Sequence, residues 1–291
     1  MEVVLPRSLD EALDVAATRP DVVPIAGGTD LMVEMNFDLR RPETLLNVSR
    51  LPELHELRRE DGHVFLGAGV SYTRIMHELP EMTAIVQASR SVGSPQIRNR
   101  ATVGGNLGTA SPAGDALPAL AVYDAEIVLV RAGGGTRTVG WREFLLGVKR
   151  NALEPGELIL GTRWRVPKGP GSFSKVGTRN AMVISIAAVC LQLDEEERAV
   201  RVALGSVGET VLRATEAEDF AREAIGSAGI WEAPERRLDA AAIERFGELA
   251  AAATRPIDDV RGTAAFRRHA CEVLARRAIT WAIDDRREVA A

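Results

Sequence analysis

Two glycine-rich segments near the start of this chain constrain its fold more than any other feature. The first reads Ala-Gly-Gly-Thr-Asp over residues 26–30 and follows a short apolar stretch. The second runs from Thr102 to Asp115 and has four glycines, four hydroxyl or amide side chains and no lysine or arginine. Glycine lacks a Cβ and tolerates positive φ, so backbone N–H groups in such segments can approach an anion closely.

This pattern predicts binding of a phosphate or diphosphate through backbone N–H groups rather than through basic side chains. Thr29 would add a hydroxyl donor, and Asp115 would accept from a ribose or ribityl hydroxyl. Neither segment is a P-loop, since no Gly-Lys-Ser/Thr follows, and neither is a Rossmann fingerprint. A single glycine pair is most often a plain turn. The two segments together therefore favour a nucleotide-type ligand without naming it.

Composition excludes several classes of protein. The chain has 291 residues, 46% hydrophobic and 26% charged, with a net charge of -5. This is an ordinary globular balance that offers no electrostatic reason to bind nucleic acid. The N-terminus lacks signal-peptide features, and no apolar stretch approaches ~18 residues. We therefore expect a cytoplasmic protein without a membrane span.

The cysteines and histidines predict no metal site. Two cysteines are too few for an iron–sulfur cluster, which needs about four, so Cys190 and Cys271 are predicted to be reduced thiols. The four histidines show no ligand spacing. Arg98 and Arg100 precede the second segment. The sequence leaves open whether they face a phosphate, a partner protein or solvent.

Hydrophobic periodicity predicts an α+β protein. Helices are expected at residues 9–17, 73–79, 83–92, 115–122, 214–224, 240–254 and 263–284. Strands are expected at residues 21–25, 44–48, 63–67, 126–130, 136–139 and 158–166. Residues 181–193 and 200–207 are expected to form a hairpin. The turn at residues 169–171 separates the two halves of the chain.

Several stretches resemble the flavoprotein subunits of the molybdenum hydroxylases, a family that includes xanthine dehydrogenase and carbon monoxide dehydrogenase. AGGTDL (26–31) and ATVGGNLGTASPAGDALPAL (101–120) are similar to the two FAD-binding loops of that family. PRSLDEAL (6–13), GVKRNALEPGELI (147–159), FSKVGTRNAMVISIAAV (173–189) and DDVRGTAAFRRHACEVLARRA (258–278) resemble its other signatures. The resemblance extends over nearly the whole chain.

The resemblance implies a fold and a set of domains. The fold is the FAD-binding fold of the vanillyl-alcohol oxidase/MurB type, with two α+β subdomains at residues 1–57 and 58–168. A C-terminal flavoprotein domain at residues 172–285 follows, with a three-stranded antiparallel sheet and helices.

The resemblance also implies a cofactor site. Asp115 would bind a flavin-side hydroxyl, Ile159 would touch the isoalloxazine edge, and Lys175 would lie near the flavin and favour its anionic reduced form. No catalytic residue and no metal ligand is expected in this chain. The residues implied to wrap the FAD diphosphate are Val23, Pro24, Ile25, Ala26, Gly27, Gly28, Thr29, Asp30, Thr102, Val103, Gly104, Gly105 and Asn106.

The implied activity is electron transfer within an oxidoreductase complex. FAD would receive electrons from two 2Fe–2S clusters in a small subunit and pass them to an external acceptor such as NAD, oxygen or a quinone. A large molybdopterin subunit would oxidise a purine or another N-heterocycle. The family implies a heterohexamer of two heterotrimers.

Three alternatives remain at this stage. One is the flavoprotein subunit of a carbon monoxide or aldehyde dehydrogenase, although the carbon monoxide enzymes tend to have Gly-Gly-His-Ser where this chain has Gly-Gly-Thr-Asp. Another is a stand-alone FAD oxidoreductase of the same fold, and the last is a scaffold that has lost FAD. Neither the electron acceptor nor the organic substrate is specified by this sequence.

Overall fold

The computed structural model describes residues 1–233 and 235–290, with the backbone alone at 287–290. The chain forms two compact units. The first unit comprises residues 1–75, 94–111 and 124–165, and the second comprises residues 76–93, 112–123 and the chain from 166 onward. Among the described helices, none is both long and apolar enough to cross a membrane.

A small parallel sheet opens the first unit. Its strands are β1 (Glu2–Val4), β2 (Val23–Ile25) and β3 (Thr44–Asn47), in the order β1-β3-β2. Helix α1 (Leu9–Thr18) connects β1 to β2, and α2 (Leu31–Asn36) follows the first glycine segment. Ser8 caps α1 by accepting from the Glu11 N–H at 3.2 Å. The Glu11 carboxylate accepts from the Arg7 N–H, one residue before the position that closes a capping box.

A five-stranded antiparallel sheet forms the rest of the framework of the first unit. Its strands are β4 (Leu57–Glu60), β5 (His63–Gly67), β6 (Glu126–Arg131), β7 (Gly135–Gly140) and β10 (Leu158–Arg165), in the order β4-β5-β10-β6-β7. Helix α1 buries Ala12, Leu13 and Ala16 in one core cluster with Leu46 of β3 and Leu158 of β10. Those helix positions share one face, so α1 joins both sheets of this unit.

Short elements complete the first unit. They are a 3-10 helix (Pro52–His55), α5 (Pro95–Arg98), α6 (Val103–Thr109), α8 (Trp141–Phe144), β8 (Leu145–Gly147) and β9 (Arg150–Asn151), while α3 (Tyr72–Glu78) crosses the boundary between units. Helix α6 differs from the open loop expected after Thr102. The Thr102 hydroxyl caps it by accepting from the Gly105 N–H at 2.9 Å, and it ends at Ala110 in the left-handed region.

An antiparallel sheet of consecutive strands organises the second unit. Its strands are β11 (Gly171–Val176), β12 (Ala187–Asp194), β13 (Ala199–Gly205) and β14 (Leu212–Arg213). Helices α4 (Thr83–Ser91) and α7 (Ala116–Val122) pack on one face. Helices α9 (Thr215–Ser227), α10 (Ala240–Ala252) and α11 (Ala264–Ala290) share a core with the other face. Because both faces are covered, all eight residues of β12 are buried.

The predicted helices and strands agree with the observed ones in type and differ from them at their ends. The expected hairpin forms, but β12 begins at Ala187 rather than at residue 181. The expected three-stranded sheet gains a fourth strand of two residues, Leu212–Arg213, paired with β13. The subdomain limits at residues 57/58 and 168/172 stay predictions.

Candidate functional site

The two glycine segments meet in one cavity of about 350 Å³ in the first unit. Residues 23–31 line it from the first segment, and residues just before and within β10 line it from the other side. Of the predicted cofactor-binding residues, those that line this cavity are Val23, Pro24, Ile25, Ala26, Gly27, Gly28, Thr29, Asp30, Thr102, Gly104, Gly105, Asn106 and Ile159. Val103 instead points into the core and is 1% exposed.

The first glycine segment makes a sharp turn, and the backbone of this turn requires glycine at residue 27 and favours it at residue 28. A Cβ on Gly27 would lie 2.0 Å from the carbonyl oxygen of Arg100, and Gly28 has φ +74°. Within the described chain, the backbone N–H groups of residues 27–30 donate no hydrogen bond. Residues 27–29 are half-buried, and N–H donors at such positions need a partner. The segment therefore presents successive N–H groups suited to an anion.

The second segment brings a helical turn against the same cavity. A Cβ on Gly104 would lie 2.5 Å from Ala68, whereas one on Gly108 would meet no atom within 4 Å. The Asn106 Oδ1 atom is buried and has no hydrogen-bond partner among the described residues. An unpartnered amide oxygen beside a set of N–H donors fits a ligand that carries both hydroxyls and phosphates. The residues present therefore fit a dinucleotide such as FAD.

An ion pair fixes the opposite wall. The Arg137 Nε atom donates to Glu157 Oε1 at 2.7 Å, and Nη2 donates to Glu157 Oε2 at 2.8 Å and to the Ala152 carbonyl at 2.6 Å. Glu157 also accepts from the Glu154 N–H at 2.8 Å. The Arg137 guanidinium lowers the pKa of Glu157 below its ordinary value. The pair holds residues 152–157 in place ahead of Ile159.

Three charged side chains that the sequence did not single out lie at the rim. The Lys149 ammonium contacts Glu34 Oε1, and Arg40 Nη1 lies 3.9 Å from Glu34 Oε2. All three line the cavity. Lys149 was already inside a stretch that resembles the family, but no local pattern pairs it with Glu34. Arg98 and Arg100 do not line this cavity.

Asp115 and Lys175 lie together in the second unit. Lys175 Nζ donates to Asp115 Oδ2 at 2.5 Å and to the carbonyls of Ser91 and Val183 at 3.0 and 3.1 Å. Asp115 Oδ1 is buried and has no partner in the described ranges. Burial raises the pKa of Asp115, and the Lys175 charge opposes that rise. The family resemblance implies a separate flavin contact for each of these residues, and the structure shows that they also contact each other.

The potential metal ligands do not cluster. Among the side chains described in residues 1–233 and 235–286, no group of three or more histidine, cysteine, aspartate or glutamate residues is placed to hold a metal ion. Cys190 and Cys271 are both buried free thiols.

The cavity has the donors and acceptors that suit a dinucleotide, and comparison with known families gives the class of protein. Residues 1–168 match the FAD binding domain in molybdopterin dehydrogenase. Residues 172–282 match the CO dehydrogenase flavoprotein C-terminal domain. The chain belongs to the family of FAD-binding subunits of the molybdenum hydroxylases. The expected fold class, FAD cofactor and oxidoreductase assignment are confirmed.

Curated relatives include subunits of several dehydrogenases. The nicotinate dehydrogenase FAD-subunit of Eubacterium barkeri is 35% identical over 195 residues, which cover 64% of this chain and 66% of that subunit. The caffeine dehydrogenase subunit beta of Pseudomonas sp. (strain CBB1) is 33% identical over 222 residues, which cover 72% of this chain and 74% of that subunit. The xanthine dehydrogenase FAD-binding subunit of Escherichia coli O157:H7 is 25% identical, with 95% and 94% covered.

Solved structures of the same kind match over nearly the whole chain. A chain of quinoline 2-oxidoreductase from Pseudomonas putida 86 has a TM-score of 0.85 at 25% identity, covering 98% of this chain and 97% of that chain. A chain of reconstituted CO dehydrogenase from Oligotropha carboxidovorans has a TM-score of 0.86 at 26% identity, with 98% of each chain covered.

Proposed function

We propose that the cavity of the first unit holds the diphosphate part of FAD. The observation that carries this proposal is that two segments far apart in sequence place unpartnered N–H groups and the unpartnered Asn106 Oδ1 around one cavity. Backbone N–H groups of residues 27–30 would donate to the phosphate oxygens, and Thr29 would add its hydroxyl. Charge-assisted hydrogen bonds of this kind are about twice as strong as neutral ones.

We infer roles for three further residues near the flavin end of FAD. Ile159 lines the cavity and would contact the isoalloxazine edge. The free Oδ1 of Asp115 would accept from a ribityl hydroxyl. Lys175, which is held by Asp115 and two carbonyls, would present the positive end of an ion pair near the flavin. Bound FAD supplies the capacity to accept electrons and pass them on. The protein supplies binding, orientation and charge.

The complex that we propose has three kinds of subunit. A small subunit with two 2Fe–2S clusters would deliver electrons to this chain, and a large molybdopterin subunit would oxidise the organic substrate. Relatives are named as FAD, beta or medium subunits, which supports a multi-subunit assembly. The arrangement as a heterohexamer of two heterotrimers and the cytoplasmic location remain proposals. So do the subdomain limits, which the family matches at residues 1–168 and 172–282 support.

An N-heterocycle is the favoured substrate class of the proposed complex. The relatives named for nicotinate and caffeine are 35% and 33% identical to this chain. The glyceraldehyde dehydrogenase medium chain of Sulfolobus acidocaldarius and the carbon monoxide dehydrogenase medium chain of Hydrogenophaga pseudoflava are 27% and 28% identical. Carbon monoxide or an aldehyde is the alternative substrate of the same assembly.

Reduction of the flavin in the assembled complex tests the proposal. The chain would be co-expressed with candidate small and large subunits from the same genome, and the complex mixed with xanthine, nicotinate, glyceraldehyde or carbon monoxide. When the substrate is an N-heterocycle, we expect the iron–sulfur absorbance to bleach first and the flavin absorbance to follow. Flavin that stays oxidised while the clusters are reduced would contradict the electron-transfer role. Flavin reduced by substrate in the isolated chain would favour a stand-alone oxidoreductase.

A further inference from the structure

We propose that Lys149 and Arg40 are the basic contacts of the bound diphosphate, and that Glu34 restrains both of them until the anion arrives. This inference rests on the proposed FAD site and adds residues that lie outside both glycine segments. It changes the expectation that phosphate is held by backbone N–H groups alone.

The position of these side chains supports the proposal. Of the described residues that line the cavity, Arg40 and Lys149 are the only lysine or arginine side chains. Arg137, which pairs with Glu157 on the opposite wall, does not line the cavity. A dinucleotide diphosphate carries two negative charges, and two cations on one rim match that charge.

The backbone around Lys149 fixes its position relative to the second glycine segment. Lys149 lies in the tight turn between β8 and β9 and has φ +54°. Its N–H donates to the Ala110 carbonyl at 3.0 Å, and the Asn151 amide donates to the Gly108 carbonyl at 2.8 Å. The hairpin is therefore tied to the end of α6, on which Gly108 also faces the cavity. The ammonium reaches the cavity from a rigid base.

Glu34 pairs with both cations, and these ion pairs are weak enough for an anion to displace Glu34. Glu34 is 18% exposed, whereas Lys149 and Arg40 are 53% and 50% exposed. Ion pairs with such exposed cations are worth roughly 0–1 kcal/mol, because solvent screens them and holding the side chains costs entropy. Exchange of Glu34 for a doubly charged diphosphate therefore meets little resistance. Glu34 contacts both cations and holds them together at the rim.

The experiment measures ligand binding to the purified chain stripped of its cofactor. FAD, ADP and riboflavin are the probes, and affinity is followed by fluorescence and calorimetry at low and high ionic strength. The variants are Lys149→Gln, Arg40→Gln, Glu34→Gln and the charge-conserving Lys149→Arg. Neighbouring exposed arginines outside the cavity give matched controls, Arg150→Gln and Arg41→Gln.

We expect a pattern of opposite signs. Lys149→Gln and Arg40→Gln should each weaken FAD and ADP binding by about fivefold at low ionic strength and less at high ionic strength. Riboflavin, which lacks phosphate, should be unaffected, and Lys149→Arg should bind FAD like the parent. Glu34→Gln should strengthen FAD binding by a similar factor, because it removes the competing anion.

Other outcomes separate failure of this inference from failure of the site. A parent chain that binds FAD, with Lys149→Gln no different from Arg150→Gln, would overturn the inference and leave the FAD site intact. The same applies if Glu34→Gln weakens FAD as much as Lys149→Gln does, since the pair would then act as a structural strap. A parent chain that binds neither FAD nor ADP, alone or with its partner subunits, would contradict the proposed site itself.

Discussion

Lys175 and Asp115 form a buried ion pair in the second unit, with Nζ 2.5 Å from Oδ2 and side chains 11% and 7% exposed. The positive charge that family resemblance assigns to Lys175 therefore has an internal counter-ion. At a flavin, this pair would act as an oriented dipole and not as an isolated cation. The field would depend on which of the two charged groups lies closer to the cofactor.

The first prediction concerns how much this ion pair contributes to the free energy of unfolding. Lys175→Met should lower the free energy of unfolding by about 3 kcal/mol, because it leaves the buried Asp115 carboxylate without its partner. Asp115→Asn should lower it by less, because the burial that raises the pKa of Asp115 already disfavours its charged form. The double variant should lose less than the sum of the two single variants. Urea unfolding of all four proteins measures the coupling. Strict additivity would show that the two groups do not depend on each other.

Removal of Lys175 should also alter the flavin. Lys175→Ala should lower the reduction potential of bound FAD and slow its reduction, whereas Asp115→Asn should raise the potential. Spectroelectrochemical titration of the flavin-loaded chain measures both. An unchanged potential in both variants would remove the pair from a tuning role.

The pH dependence of stability gives another prediction. Burial raises the pKa of Asp115, so the folded state binds this proton more tightly than the unfolded chain does. Stability should therefore fall as pH rises from the ordinary aspartate pKa through the raised folded value. Asp115→Asn should lack this fall. Urea midpoints across the acidic range measure it, and an unchanged profile in Asp115→Asn would contradict the assignment.

The two faces of α6 should respond differently to a methyl group. Gly104→Ala should lower stability by about 2 kcal/mol, since the new Cβ would lie 2.5 Å from Ala68. Gly108→Ala meets no atom within 4 Å and should leave the fold intact or slightly more stable. It should nevertheless reduce FAD retention, because the methyl enters the cavity. A bulky residue at Gly105 should abolish retention. Thermal unfolding and flavin content check these outcomes.

The Arg137–Glu157 pair should account for part of the acid sensitivity of the first unit. Arg137 lowers the pKa of Glu157, so this stability is present above the ordinary glutamate pKa and is lost as pH falls through the lowered value. Glu157→Gln should cost about 2 kcal/mol at neutral pH and little in acid. Glu154→Gln is the control, because that carboxylate is 59% exposed and 3.8 Å from Arg137. Equal losses in both variants would contradict this role.

Hydrophobic periodicity was sufficient for most regular elements. It placed β5 at residues 63–67 without error and α4 within one residue, because both bury a regular set of apolar side chains. It missed α6, since three glycines within seven residues disfavour a helix in isolation. The close approach of Gly104 to Ala68 and the Thr102 cap stabilise that helix, and neither is visible in local sequence.

The site was partly predictable for the same reason. Glycine segments and family resemblance identified most residues that line the cavity, because these features are local. The pairs Lys149–Glu34, Arg137–Glu157 and Lys175–Asp115 join residues distant in sequence. Their geometry is set by strand pairing and loop packing, and a single sequence carries no pattern for it. The structure was therefore needed to find the charges around the proposed cofactor site.

The absorbance spectrum of the purified chain tests the central claim most directly. The bound cofactor would be released by denaturation and identified by chromatography. The account predicts a flavin spectrum with about one FAD per chain. A chain without flavin, even after incubation with FAD and in the presence of its partner subunits, would contradict it.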